Sequence, residues 1–344
     1  MFGLALAACG GAASPSPGPI VFVGNPDGYG SKLMAVNADG SGFRQFTWTD
    51  PELAPGLSPD GKKVRLDRTY EEESAVCGLP ACAQIWVADA GGGGERALTA
   101  ADEDAEGATW SPEGERIAFS KRDLEREGND ATDFETDIYS MSPDGSDETQ
   151  LTDLAGGETS PTWSPDGKQI AFSTSAGAEG DIYVMNSDGT EQTRLTDLPG
   201  VEIEPVWSPN GKRIAFSTEW VDRTDVYVMN SDGSELRRLT DPAVGEASPA
   251  WSPDGDMLAF YRETDELAEI VIANDDGSDQ REVVAPSEDE VSLGAPVWSP
   301  DGKQLAFTDQ STIWVVGSDG RNVRELWSRP YSQPIVLNWA AEPD

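Results

Sequence analysis

The chain contains no histidine. That absence excludes a Ser-His-Asp or Cys-His nucleophile pair, histidine-ligated zinc or manganese, and a histidine general base. Hydrolytic chemistry on such a chain would fall to carboxylates, Lys, Tyr or a cofactor. Basic residues are scarce: 24 Lys and Arg stand against 63 Asp and Glu, for a formal net charge of −39. A surface of that sign repels phosphates, which argues against nucleic acid as a partner. There are three cysteines, and without histidine or a second Cys pair they cannot complete a zinc site. Beyond the N-terminus no run is long and apolar enough to span a membrane. An acidic composition can signal disorder. Here, however, the apolar residues fall in dense, regularly spaced clusters with 11 Trp, which indicates a packed core.

The first residues are apolar and small. Leu6-Ala7-Ala8-Cys9 resembles a bacterial lipobox, with Cys9 as the residue to be lipidated in an exported, membrane-anchored protein of the periplasm or cell surface. The run has no Lys or Arg before it and is short, which a start upstream of Met1 would explain. Residues 10–19, rich in Gly, Ala, Ser and Pro, read as a flexible tether. The expected organisation is therefore residues 1–19 as signal and tether and 20–344 as one folded unit. Cys77 and Cys82, in Cys77-Gly-Leu-Pro-Ala-Cys82, suggest a local disulfide in an oxidising compartment, with two free thiols as the alternative.

A repeat fills the chain. Leu57, Trp110, Trp163, Trp207, Trp251, Trp298 and Trp339 each close a short apolar strand, at intervals of 53, 53, 44, 44, 47 and 41 residues. The best-formed unit runs Pro161-Thr-Trp-Ser-Pro-Asp-Gly-Lys-Gln-Ile-Ala-Phe-Ser173, then Asp181-Ile-Tyr-Val-Met-Asn-Ser-Asp-Gly189, then Thr193-Arg-Leu-Thr196. This predicts four strands, A to D. Ser164-Pro-Asp-Gly167 suits the A–B turn and Asn186-Ser-Asp-Gly189 the C–D hairpin. Ile170-Ala-Phe and Ile182-Tyr-Val-Met are apolar on both faces, so both faces should be covered by neighbouring sheets. B strands and C strands each number seven. The chain opens with a B strand at Ile20 and ends with an unpartnered A strand, Ile335-Val-Leu-Asn-Trp339. The expected fold is an all-β, seven-bladed β-propeller, closed by the C-terminal strand completing the first blade.

The motifs Trp-Ser-Pro-Asp-Gly-Lys-x-Ile-Ala-Phe and Ile-Tyr-Val-Met-Asn-x-Asp-Gly, followed by Arg-Leu-Thr, resemble the TolB-type, WD-like propeller repeat over about residues 20–340. The resemblance implies bacterial periplasmic or surface proteins that bind other proteins, and propeller domains of some peptidases. Peptidases of that kind add a hydrolase domain with a catalytic His, and oligogalacturonate lyases of similar fold use His metal ligands. This sequence supplies neither.

Candidate site residues lie on the face of the variable B–C and D–A loops. An acidic residue stands five positions before the A-strand marker at Glu52, Glu158, Glu202 and Glu246. With strand A innermost these would ring the channel mouth and receive a cation or basic peptide; alternatively they brace the D–A loop. Asp102, Glu103, Asp104 and Glu106 crowd one D–A loop and Glu288, Asp289 and Glu290 another. Such carboxylates could take calcium, though a solvated charge run is the simpler reading. The Asn-x-Asp-Gly segments lack the full calcium-loop spacing and read as turns. Two B–C connections, Thr69 to Gln84 and Lys121 to Thr136, are long enough to reach over the face. Trp48, Trp220 and Trp327 fall outside the core pattern, at loop ends.

The leading expectation is a non-enzymatic, monomeric envelope protein that binds a cationic protein or peptide on this face, with no required cofactor and no metal. The alternative is a carbohydrate-active or other hydrolytic propeller enzyme that works with paired carboxylates.

Overall fold

The structure, a computed structural model, describes residues 17–25, 32–45, 56–71, 81–90, 93–127, 134–175, 180–220, 223–240, 245–264, 268–284, 293–309, 311–329 and 334–341. Among these every regular element is a strand. The fold is an all-β propeller assembled from small antiparallel sheets. Five sheets have four strands. In one of them Val201–Trp207, Arg213–Trp220, Arg223–Asn230 and Arg237–Arg238 follow one another in sequence order. A sixth sheet has eight strands, where the sequence pattern expects two separate sheets. Within it, two four-strand units are joined by one parallel pair, Thr136 with Gly157.

The turns follow from their residues. At Ser164-Pro-Asp-Gly167 the Gly167 N–H donates to the Ser164 carbonyl at 2.9 Å, and the Ser164 hydroxyl donates to Asp166 at 2.8 Å. Glycine at 167 permits the left-handed φ of +69°. At the C–D hairpin Gly189 has φ +86°, and a Cβ there would stand 2.8 Å from the carbonyl of Leu151 in the preceding unit. Glycine is thus required twice, for the turn and for the close approach of two units.

The core lies between sheets. Ile170, Ala171 and Phe172 are all fully buried, as strands apolar on both faces must be. Ala171 packs with Trp207, Ile214 and Phe216 of the next unit. Ala118 does so with Trp163, Ala215 with Trp251, Ala259 with Trp298, and Ala306 with Trp339. The small Ala leaves room for the large indole, so each of these five seams buries one tryptophan against one alanine.

The C-terminal strand Ile335–Ala341 runs antiparallel to Pro17–Gly24, with Trp339 opposite Ile20. Trp339 and Val336 share a core with Ile20, Phe22 and Met34 and with Ala306, Ile313 and Val315. The first strands of neighbouring sheets also touch one another, Ile335–Ala341 against both Val297–Trp298 and Gly56–Leu57. These strands therefore form the inner side of the propeller.

The long B–C connections differ from expectation. Lys63–Glu71 pairs with Ala81–Asp89 as far as Glu71 opposite Ala81, and Ile117–Glu127 pairs with Phe134–Met141. Much of the inserted length is strand extension, in which backbone pairing holds polar residues beyond the packed seam.

Removing residues 335–344 would strip Pro17–Gly24 of its inner partner and leave an open edge beside an exposed apolar face. The truncated chain is expected to lose its cooperative thermal transition and to elute as aggregate in size-exclusion chromatography.

Candidate functional site

The inner strands carry a bulge that the sequence pattern does not show. Pairing between strands A and B shifts register between Glu106 and Thr109, Thr159 and Thr162, Ile203 and Val206, and Ala247 and Ala250. In each case the third residue before the tryptophan is left-handed: Gly107, Ser160, Glu204 and Ser248, with φ between 53° and 64°. Pro161, Pro205 and Pro249 come next. Proline has no N–H, so the distorted strand leaves no donor orphaned at that position. The fourth unit has Ala108 instead, and there Asp67 of the neighbouring sheet accepts the N–H groups of Gly107 at 2.9 Å and Ala108 at 3.4 Å.

A bulge reverses the alternation of faces, and it decides which acids reach solvent. Glu106 and Glu204, at the bulge, are exposed. Enough protein surrounds each that desolvation pushes its carboxyl above the usual range, assisted by Asp104 beside Glu106 and by Glu219 beside Glu204.

Glu158, Glu202 and Glu246 are fully buried, at 0% exposure. None of them can touch a partner in this arrangement, which corrects the expected contact ring. Glu52 lies outside the described residues. Glu202 shows what these side chains do. Its carboxylate accepts from the Thr196 hydroxyl at 2.7 Å and from the Leu198 N–H at 3.2 Å, while Thr196 Oγ1 accepts the Ile182 N–H at 2.8 Å. The acid ties the D–A loop to strands A and C.

Each unit balances its buried acids differently. The residue before strand C is Asp137, Asp181, Asp225 or Glu269 in four successive units. Arg194 pairs with Asp181 at 2.7 Å, and Arg238 with Asp225 at 3.0 Å. Arg262 pairs with both Glu246 and Glu269. The loop leading to Glu158 begins Gln150-Leu-Thr where those leading to Glu202 and Glu246 begin Arg-Leu-Thr, and Asp137 receives the Gln150 amide at 2.9 Å. Among the described residues no cation reaches Glu158. Burial, with the Asp137 carboxylate adding to it, pushes Glu158 up to about 8. Burial takes Glu202 to about 7. It also raises Glu246, against the opposing pull of Arg262.

The other candidates are occupied locally. Glu103 pairs with Lys121, and Asp104 with Arg122 at 2.9 Å. The Asp188 side chain accepts from the Thr190 N–H at 3.0 Å within its own turn, and Asp39, Asp232 and Asp276 cap theirs in the same way. Among the described residues no group of three or more acidic or cysteine side chains could hold a metal ion. Cys82 is disulfide-bonded; Cys77 and Cys9 lie outside the described residues, as do Trp48 and the acids at 288–290. Trp220 and Trp327 are half-buried, Trp220 beneath Arg223 and Trp327 against Phe22.

Known proteins place the chain in a family. The model of the TolB beta propeller domain matches residues 132–329, more than half of the sequence, and the chain belongs to that family. An uncharacterized peptidase, YuxL of Bacillus subtilis (strain 168), is 32% identical over 132 residues, covering 38% of this chain and 17% of the relative. Dipeptidyl-peptidase 5 of Porphyromonas endodontalis is 30% identical over 117 residues, 34% of this chain and 15% of its own length. The match thus spans about a sixth of these relatives. A puromycin-hydrolyzing peptidase of Mycobacterium tuberculosis superposes with a TM-score of 0.65 at 14% identity, over 95% of this chain and 56% of its own. At that identity the likeness concerns the fold alone. The peptidase names of the two sequence relatives overturn the expectation of a non-enzymatic binding protein. That expectation rested on the missing histidine, which excludes particular mechanisms on this chain but not a hydrolytic role.

Two substitutions test the buried acids. Folding raises Glu158 from 4.5 to about 8, so its contribution to stability is full below the unfolded value and declines as pH rises toward 8. Glu158→Gln keeps the shape and removes the titration. Its melting temperature is expected to match wild type at about pH 5 and to exceed it by roughly 2–4 °C at about pH 8.5. Arg262→Gln strands Glu246 and Glu269 without their counterion and is expected to cost about 3–5 kcal/mol in urea denaturation.

Proposed function

We propose that the chain acts in peptide hydrolysis, as the propeller of a peptidase-type protein that engages its peptide on the inner strands. The observation that carries this is the pair of curated relatives at 30% identity or more, both named as peptidases. The inner strands supply a surface suited to the task. Glu106 and Glu204 reach solvent there within a chain of net charge −39, which favours cationic peptides and makes their encounter salt-dependent. The buried pair Glu158 and Asp137 cannot serve as the carboxylates of a hydrolytic step, because substrate does not reach them.

Seven blades and a closed ring are part of the same proposal. The eight-stranded sheet divides at the single parallel pair of Thr136 and Gly157 into two units, each with its own four strands. Counted so, seven units and seven inter-sheet cores alternate around the molecule. One of those cores unites Ala306 and Val315 with Ile20 and Trp339. Export to an oxidising compartment, with a lipid on Cys9, is proposed on the lipobox-like run, and the bonded state of Cys82 supports it.

The purified chain is expected to bind short Lys- and Arg-bearing peptides in isothermal calorimetry. Glu106→Gln with Glu204→Gln should weaken that binding about fivefold, the equivalent of about 1 kcal/mol at a solvated charge contact. Neutral peptides should be less affected. Absence of binding by every cationic peptide would overturn the reading of the inner strands as a peptide-engaging surface. Equal loss on neutral peptides would remove the two carboxylates from it.

A further inference from the structure

One seam departs from the repeat in three ways at once. Trp110, Trp207, Trp251 and Trp298 each donate the indole N–H to a carbonyl of the preceding sheet, at Gly56, Thr162, Val206 and Ala250, over 3.0–3.2 Å. The repeat would send Trp163 to Thr109. Instead the Trp163 indole N–H is buried with no acceptor, on a side chain only 8% exposed. A buried donor without a partner is unfavourable, so the site favours a ligand that offers an acceptor.

The second departure is in the A–B turn. Ser58, Ser164, Ser208, Ser252 and Ser299 each donate to the Asp or Asn two residues later. Ser111-Pro-Glu-Gly114 has the longer Glu113. Its carboxylate lies instead against Gly167 of the next sheet, where a Cβ would meet it at 2.6 Å. At other seams that glycine faces the proline of the preceding turn, as Gly211 does Pro165 and Gly302 does Pro253, both at 3.6 Å.

The third departure is the space itself. A cleft of about 430 Å³ opens here, lined by Glu113, Glu115, Arg116, Leu151, Trp163 and Asp188 among others. That volume lies within the roughly 300–1,000 Å³ of small-molecule sites. Arg116 is held in place by donating to Ser140 Oγ at 2.6 Å and to the Asp147 carbonyl at 3.3 Å.

The lining specifies a chemistry. The Trp163 N–H and the Arg116 guanidinium call for an acceptor, the three carboxylates call for a cation, and the indole and Leu151 offer an apolar wall. We propose that this seam binds the amino-terminal end of a short peptide. The free ammonium sits among Glu113, Glu115 and Asp188, the first carbonyl accepts from Trp163 and Arg116, and the first side chain lies on the indole. The site is on the turn side, away from Glu106 and Glu204, and does not depend on the peptidase reading; a peptide here is held rather than cleaved.

Isothermal calorimetry with leucyl-alanine amide and its N-acetyl form tests this on the full chain. The free amine is expected to bind, and the acetylated form to bind at least about tenfold more weakly, since losing a charge-assisted contact is worth about 1.5–3 kcal/mol. Trp163→Phe keeps the ring and removes the donor, and should weaken the free amine about tenfold. Glu113→Asp, which restores the repeated turn, should weaken it by a similar factor. It also serves as the test should Trp163→Phe fail to fold, because Glu113 is exposed. No binding to wild type, equal binding of the two forms, or unchanged affinity in Glu113→Asp would overturn the proposal.

Discussion

The packing of one tryptophan on one alanine, repeated at five of the seams between sheets, is the contact on which the architecture depends. An aromatic side chain of this size buries about 150–250 Å², worth roughly 4–6 kcal/mol as an upper bound. The indole can pack against the neighbouring strand because residues 118, 171, 215, 259 and 306 are all Ala, every one fully buried. A sheet built this way has no solvent face. It needs a neighbour on each side, and Ile335–Ala341 returns to Pro17–Gly24 from the far end of the sequence.

The same regularity explains what could be read before the structure. Turns of Ser-Pro-Asp-Gly type and two-faced apolar strands have local causes, and they lie in the structure where the pattern puts them. The inner-strand bulge does not have a local cause that the sequence displays. Gly107 hints at it, but Ser160, Glu204 and Ser248 occupy the same left-handed position, and nothing in those residue types demands it. An alternating reading carried through the bulge places Glu158, Glu202 and Glu246 at the surface, where the structure buries them, and does not single out Glu204, which reaches solvent at the bulge. The extended strands around 63–89 and 117–141 were obscured differently. Segments such as Lys121-Arg-Asp-Leu-Glu-Arg-Glu127 are too polar to resemble strands, yet backbone pairing alone extends a hairpin past the point where side chains need burial.

Electrostatics is where the units differ most. All three described acids of the series sit in the same buried place, and the series could stay apolar at that point, as Ala105 and Leu293 show. Retaining a carboxylate there secures the D–A loop through hydrogen bonds, at the cost of desolvating a charge. Arg262 meets that cost with a cation, Thr196 and the Leu198 N–H with hydrogen bonds, and Glu158 with a proton. Burial leaves two of these carboxyls titrating near neutrality, Glu202 at about 7 and Glu158 at about 8. Gln150 stands in the place held by Arg194 and Arg238, so Asp137 receives an amide where Asp181 and Asp225 receive a guanidinium.

Glu113, Gln150 and Trp163 all belong to the junction between the units at 104–150 and 157–194. At the loop end that junction is fastened by the parallel pair of Thr136 and Gly157, and the next junction has an equivalent bridge between Gly180 and Val201. The loop ends are therefore alike, and the difference lies at the turn end. There the indole hydrogen bond is missing, a carboxylate replaces the proline against the facing glycine, and a cleft of about 430 Å³ separates the turns. A seam joined at one end and open at the other is what a repeat yields when departures accumulate in one place. A repeated scaffold makes such departures visible, because Trp110, Trp207, Trp251 and Trp298 supply the expected indole contact at their own seams. In this protein the sites most worth testing are therefore those where the repeat is broken.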